Sequence, residues 1–139
     1  MSKEYRYNTY EEAMEAVRCR SYSLKHVRPD LQTLEMVLIA VKNWGGYLEH
    51  VRPDLQTPEM VEMAVKNWGG NLKYVPTHLI TPELALEAVK HLGLNLQFVP
   101  AHLQAQEVIE TALRHNPSAK RYIKVKEMFK SALEEVLAD

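Results

Sequence analysis

Six histidines and one cysteine are the side chains of this 139-residue chain with the most chemistry to offer. His26 and His50 stand 24 residues apart, and Tyr74, Phe98 and Tyr122 continue the same interval. Zinc needs donors that all come within about 2 Å of one ion, whereas neighbouring packed helices lie about 8–10 Å apart. No His-x-x-x-His or His-Glu-x-x-His spacing occurs. The column therefore reads as a part-buried aromatic ladder, and neither a metal nor a cofactor is expected. A nucleophilic Cys19 would need a base held beside it. It shares its place in the interval with Asn43, Asn67, His91 and His115, a variable polar column that defines no partner. Gly-x-Ser-x-Gly and phosphate-loop patterns are absent, and the Gly-Gly pairs at 45–46 and 69–70 follow apolar runs instead of preceding helices. The chain is expected not to be an enzyme.

Charge is the next regularity. Glu11, Glu35, Glu59, Glu83 and Glu107 form one column, and Arg18, Lys42, Lys66, Lys90 and Arg114 another, seven residues further on. Acids at the start of a helix and bases at its end oppose the helix dipole favourably. A basic stripe stepping by about 10 Å is also the footprint of a protein that follows a phosphate backbone. The parallel acidic column and a formal net charge of −1 favour the dipole reading. Nucleic-acid binding through the basic column is the disfavoured alternative. Apolar residues on the same outward side suggest contact with a protein instead: Leu38 and Leu86 fall opposite the core face, with Ile39 and Met63 on its flank. Together with His50, Tyr74 and Phe98 they make the candidate partner surface.

The elements that must position these residues come from one repeated unit. Gln32–Leu55 (QTLEMVLIAVKNWGGYLEHVRPDL), Gln56–Leu79 (QTPEMVEMAVKNWGGNLKYVPTHL) and Ile80–Leu103 (ITPELALEAVKHLGLNLQFVPAHL) repeat without insertion. A looser copy spans Asn8–Leu31, and a degenerate one covers 104–124. A fixed period of this length marks an array whose units bury their apolar faces against their neighbours. Thr9 and Glu12 have the spacing of a capping box. Thr33, Thr57 and Thr81 are helix N-caps, and Pro58 and Pro82 suit the first helical position. The helix is expected to run to about Trp44, Trp68 and Leu92, burying Met36/Val37/Ala40/Val41/Trp44 and their equivalents. Gly45, Gly69 and Gly93 are expected to end it in a left-handed conformation. A second helix of one or two turns follows near Tyr47–Val51, Asn71–Val75 and Asn95–Val99, limited by Pro53, Pro76 and Pro100. A strand-based leucine-rich repeat is disfavoured by the lack of Leu-x-Leu alternation after each glycine and by those prolines.

The expected fold is thus all-α: a solenoid-like array of about five 24-residue helix–turn–short-helix units in a single domain, 1–139, closed by a terminal helix at 125–139. That helix carries an apolar stripe from Val125 to Leu137 and is expected to cap the last unit, with dimerisation as the lesser alternative. Hydrophobic content of 46% and charged content of 25% are ordinary for a globular protein. The longest uncharged apolar run, Met36–Val41, is far short of the ~20 residues a membrane span requires. One cysteine rules out an internal disulfide framework, and a polar N-terminus has no signal-peptide core. A cytoplasmic protein is expected.

The unit resembles a known family. AVKNWGG with NLKYVP (64–76) and AVKHLG with NLQFVP (88–100) are similar to an uncharacterised bacterial, protist and viral repeat whose units read E-L-C-L-x-A-V-K-Q-N-G-x-A-L-K-Y-V-P. The resemblance covers about Asn8–Ile123 and weakens where Ser21 and Pro117 replace the glycine. It implies a short-helix array and no activity, catalytic residue or cofactor. The functional expectation is a non-enzymatic protein-binding repeat scaffold. A small inhibitor protein acting on a larger enzyme is a further alternative.

Overall fold

The computed structural model describes residues 5–19, 21–43 and 48–125. The expected terminal helix, apart from Val125, lies outside the described residues, as do Trp44 and Gly45. Ten-residue α-helices recur at the sequence interval: α1 (Tyr10–Cys19), α2 (Leu34–Asn43), α3 (Pro58–Asn67), α4 (Pro82–His91) and α5 (Gln106–His115). Their starts follow from the threonines. The hydroxyls of Thr9, Thr33, Thr57 and Thr81 accept from the N–H groups of Glu12, Met36, Met60 and Leu84 at 3.1–3.3 Å, each satisfying a donor that the helix cannot. Ala105 makes no such bond for α5. No strand occurs among the described residues, whose regular elements are all helical.

Two short 3₁₀ segments follow α3 and α4, where one short helix was expected. Gly69–Tyr74 and Gly93–Phe98 each end at an extended valine, after which Thr77–Leu79 and Ala101–Leu103 form a second turn. The proline explains the break: its fixed φ near −60° begins the new turn as N-cap, at Pro76 and Pro100, or as first residue, at Pro29 and Pro53. Ser21–His26 and Pro117–Tyr122 are the corresponding six-residue segments after α1 and α5.

Packing follows the apolar pattern. Met36, Val37, Ala40 and Val41, and their equivalents in α3, α4 and α5, are buried with Leu48/Val51, Leu72/Val75 and Leu96/Val99 in one continuous core. Each α-helix packs against the next in sequence.

Two expectations are corrected. The helices end one residue early, at Asn67 and His91, and Trp68 and Leu92 turn outward in extended backbone instead of joining the core. Nor do Gly69 and Gly93 hold a left-handed φ. Their missing side chains instead admit the following helix. A Cβ on Gly69 would meet the Ala88 carbonyl oxygen at 2.9 Å and His91 Cβ at 2.8 Å. On Gly93 it would collide with the Ala112 carbonyl. The chain leaves its helix early because the glycine after it must lie flat against its neighbour.

Buried amides then tie the turns together. Gln32 Nε2 donates to the His50 carbonyl at 2.7 Å, and its Oε1 accepts from Arg52 N–H at 3.0 Å. Gln104 repeats this with the Tyr122 carbonyl at 3.0 Å and Lys124 N–H at 2.8 Å. Gln56 donates to the Tyr74 carbonyl at 2.9 Å, but the residue that should donate back is Pro76, which has no N–H. Gln56 Oε1 is consequently buried without a partner. In the next unit Ile80 stands opposite Pro100, so no side-chain oxygen there is left without a donor. Asn71 bridges two units, accepting from Leu48 N–H at 3.1 Å and donating to the Ala64 carbonyl at 3.0 Å.

Candidate interaction groove

The residues singled out for chemistry do not converge. Among the described residues no group of three or more His, Cys, Asp or Glu could hold a metal ion. Cys19 is a free, exposed thiol. The His50–Tyr74–Phe98 column has a structural use in its backbone: the carbonyls of His50, Tyr74 and Tyr122 are the acceptors of the glutamine ties. His26, in the same column, has its pKa lowered by partial burial and then by the cationic Arg6 and Lys25 and by His50.

Three members of the basic column, Arg18, Lys66 and Arg114, meet carboxylates of the same fold, while Lys42 and Lys90 meet none among the described residues. Lys66 reaches Glu62 at 2.8 Å, Arg114 approaches Glu110 at 3.8 Å, and Arg18 approaches Glu35 of the next unit at 4.0 Å. The bond to Glu62 raises the pKa of Lys66. These are exposed pairs that contribute little stability, yet they set anions along the stripe that a phosphate backbone would have to displace. A cleft of about 420 Å³ between α3 and α4 is likewise rimmed by Glu62, Glu83 and Glu87.

The expected contact residues Leu38, Ile39, Met63 and Leu86 are all half-buried and pack against the core. Helical phase placed Leu38 and Leu86 opposite the core, yet both are partly buried against it.

Exposed apolar surface concentrates elsewhere. Trp68 is 45% and Leu92 51% exposed, one period apart at the ends of α3 and α4. Between them lies a groove of about 290 Å³ whose walls include Trp68, Leu92 and the half-buried Phe98. The Trp68 ring lies across Gly70, where a Cβ would strike it. His91 fixes one wall: its Nδ1 accepts from Gly69 N–H at 3.3 Å, and its Nε2 lies 3.5 Å from Glu87 Oε1. Lys73 stands at the rim with its ammonium 4.8 Å from the centre of the Tyr74 ring. Asn95 and Gln97 complete the lining, and the large apolar side chains around this concavity can seat an apolar side chain of another molecule. The sequence reading missed this because it assigned Trp68 and Leu92 to the core. The signal available was the glycine directly after each, whose missing side chain admits the neighbouring helix.

Residues 33–80 match the family model described as Domain of unknown function (DUF4116), a stretch two periods long. It contains α2, α3 and the Trp68 wall of the groove but stops before α4 and Leu92. This fits the resemblance to an uncharacterised family and brings no activity with it. Comparison with curated proteins and with solved structures returns no match.

Proposed function

We propose that this chain is a non-enzymatic protein-binding scaffold: a solenoid-like array of 24-residue units in one cytoplasmic domain, holding its partner in the groove between Trp68 and Leu92. The observation that carries the reading is the exposure of these two large apolar side chains, one unit apart, on either side of a cavity. Sealing half-exposed Trp and Leu side chains from water contributes on the order of 2–4 kcal/mol, and Trp is the residue most often found where binding energy concentrates. His91 ties α4 to the backbone of the preceding unit, and a wall held in place before binding lowers the ordering cost of association.

Affinity capture with the tagged chain, compared with its Leu92→Asp variant, tests this. Leu92 is exposed, so the variant is expected to keep its melting temperature and to lose a defined set of captured proteins. An identical set from both proteins overturns the groove as the contact surface. The parallel variant Leu38→Asp/Leu86→Asp is expected to unfold at lower temperature, because both leucines pack on the core.

A further inference from the structure

The polar lining of the groove identifies the partner's chemistry. The side-chain amides of Asn95 and Gln97 donate inward, to the Ala88 carbonyl at 2.9 Å and the Leu94 carbonyl at 3.0 Å. The imidazole of His91 is engaged on both nitrogens, by Gly69 N–H and toward Glu87. Lys73 differs. Among the described residues no carboxylate lies within 4.0 Å of its ammonium, and its one close contact is the face of Tyr74, which attracts the charge without accepting directed hydrogen bonds. Lys42, Lys90 and Lys120 also meet no carboxylate among the described residues, so it is place that sets Lys73 apart: it is the one ammonium lining this groove, and no Asp or Glu lines it.

We infer that the groove takes an extended acidic peptide segment of a partner protein, with one large apolar side chain seated between Trp68 and Leu92 and a neighbouring carboxylate on Lys73. This rests on the protein-binding reading above and specifies the partner of that same site. Lys73 is exposed, so a carboxylate would take the place of water as acceptor for its ammonium, and the charge-assisted bond formed is stronger than a neutral one. A basic peptide would bring like charges together at the rim, which is how such a site rejects wrong partners. The apolar anchor supplies affinity, and Lys73 sets which anchored peptides are admitted.

The test is selection of a random displayed dodecapeptide library on the immobilised full chain, with the enriched pool measured against wild type, Leu92→Asp and Lys73→Glu proteins of equal melting temperature. Enriched peptides are expected to carry an aromatic or branched aliphatic residue within three positions of Asp or Glu. Their binding should be lost on Leu92→Asp and weakened roughly tenfold or more on Lys73→Glu. A second selection on Lys73→Glu should then enrich Lys and Arg in place of the acids. A pool that depends on Leu92 but shows no acidic bias, and no change on Lys73→Glu, overturns the acidic partner while leaving the apolar groove standing. A library that yields no pool sensitive to Leu92→Asp overturns the groove itself.

Discussion

Replacing Pro76 with alanine should stabilise this protein. Gln56 is 7% exposed, donates to the Tyr74 carbonyl, and leaves Oε1 buried with no donor. Two other units show the remedy, because Arg52 and Lys124 supply an N–H to the equivalent oxygens at 3.0 and 2.8 Å. The backbone is already in place: Pro76 has φ −57°, ψ 140°, and Arg52 has φ −56°, ψ 131°. An unsatisfied buried acceptor costs about 1–3 kcal/mol. Losing proline's restriction of the unfolded chain gives back about 0.4–1 kcal/mol. The net gain is therefore about 1 kcal/mol, or ~3 °C in the melting temperature at a typical unfolding entropy per residue. Calorimetry on Pro76→Ala measures it directly. A double-mutant cycle isolates the cause, since in a Gln56→Ile background the same change should destabilise, giving a coupling of about 1–3 kcal/mol between the two positions. A coupling below about 0.3 kcal/mol would refute the reasoning, whatever the single variant does.

Gly93→Ala should destabilise more than Gly69→Ala, by roughly 2–4 against 1–3 kcal/mol in chemical denaturation, because its Cβ meets the rigid Ala112 carbonyl more closely than that of Gly69 meets Ala88. Equal losses would return both glycines to a purely local role. Asn71→Ala should cost roughly 1–3 kcal/mol, as it leaves Leu48 N–H without its partner while the Ala64 carbonyl keeps the Trp68 N–H; hydrogen exchange at Leu48 should accelerate with it. His26 has a folded pKa below its ordinary 6.5, so the unfolded chain binds more protons and stability rises with pH through that window. Its contribution is complete above about pH 6.5 and is lost as pH falls through the lowered value. Melting curves at stepped pH should show a shallower acid-side decline for His26→Gln, and an unchanged decline would remove His26 as its source.

Features set by local chemistry were legible in the sequence. Threonine caps, first-turn prolines and the apolar faces of the ten-residue helices lie where the pattern of types places them, because each depends on neighbours three or four residues away. What escaped depends on the adjoining unit. Trp68 continues the apolar stripe of α3 perfectly well, and only the approach of α4 to Gly69 turns it out toward solvent. Leu38 and Leu86 look outward by helical phase yet are partly buried against the core. The glutamines read as polar linker residues, since their partners are backbone groups 18 and 20 residues away. One sequence signal did point to them: isoleucine replaces glutamine at Ile80, where Pro100 removes the donor.

That glutamine–donor correspondence has a consequence for how such a chain can grow. Gln32 and Arg52 lie within one 24-residue unit, as do Gln56 and Pro76, and Ile80 and Pro100. A unit copied or deleted whole carries both members with it, so tandem duplication leaves every tie as well matched as before. The glycine and Asn71 contacts cross the boundary instead, and any new neighbour must offer them the same surface. Length could therefore change by whole units more readily than the residues at the seams could, and the orphaned oxygen of Gln56 shows what a single mismatch inside a unit leaves behind.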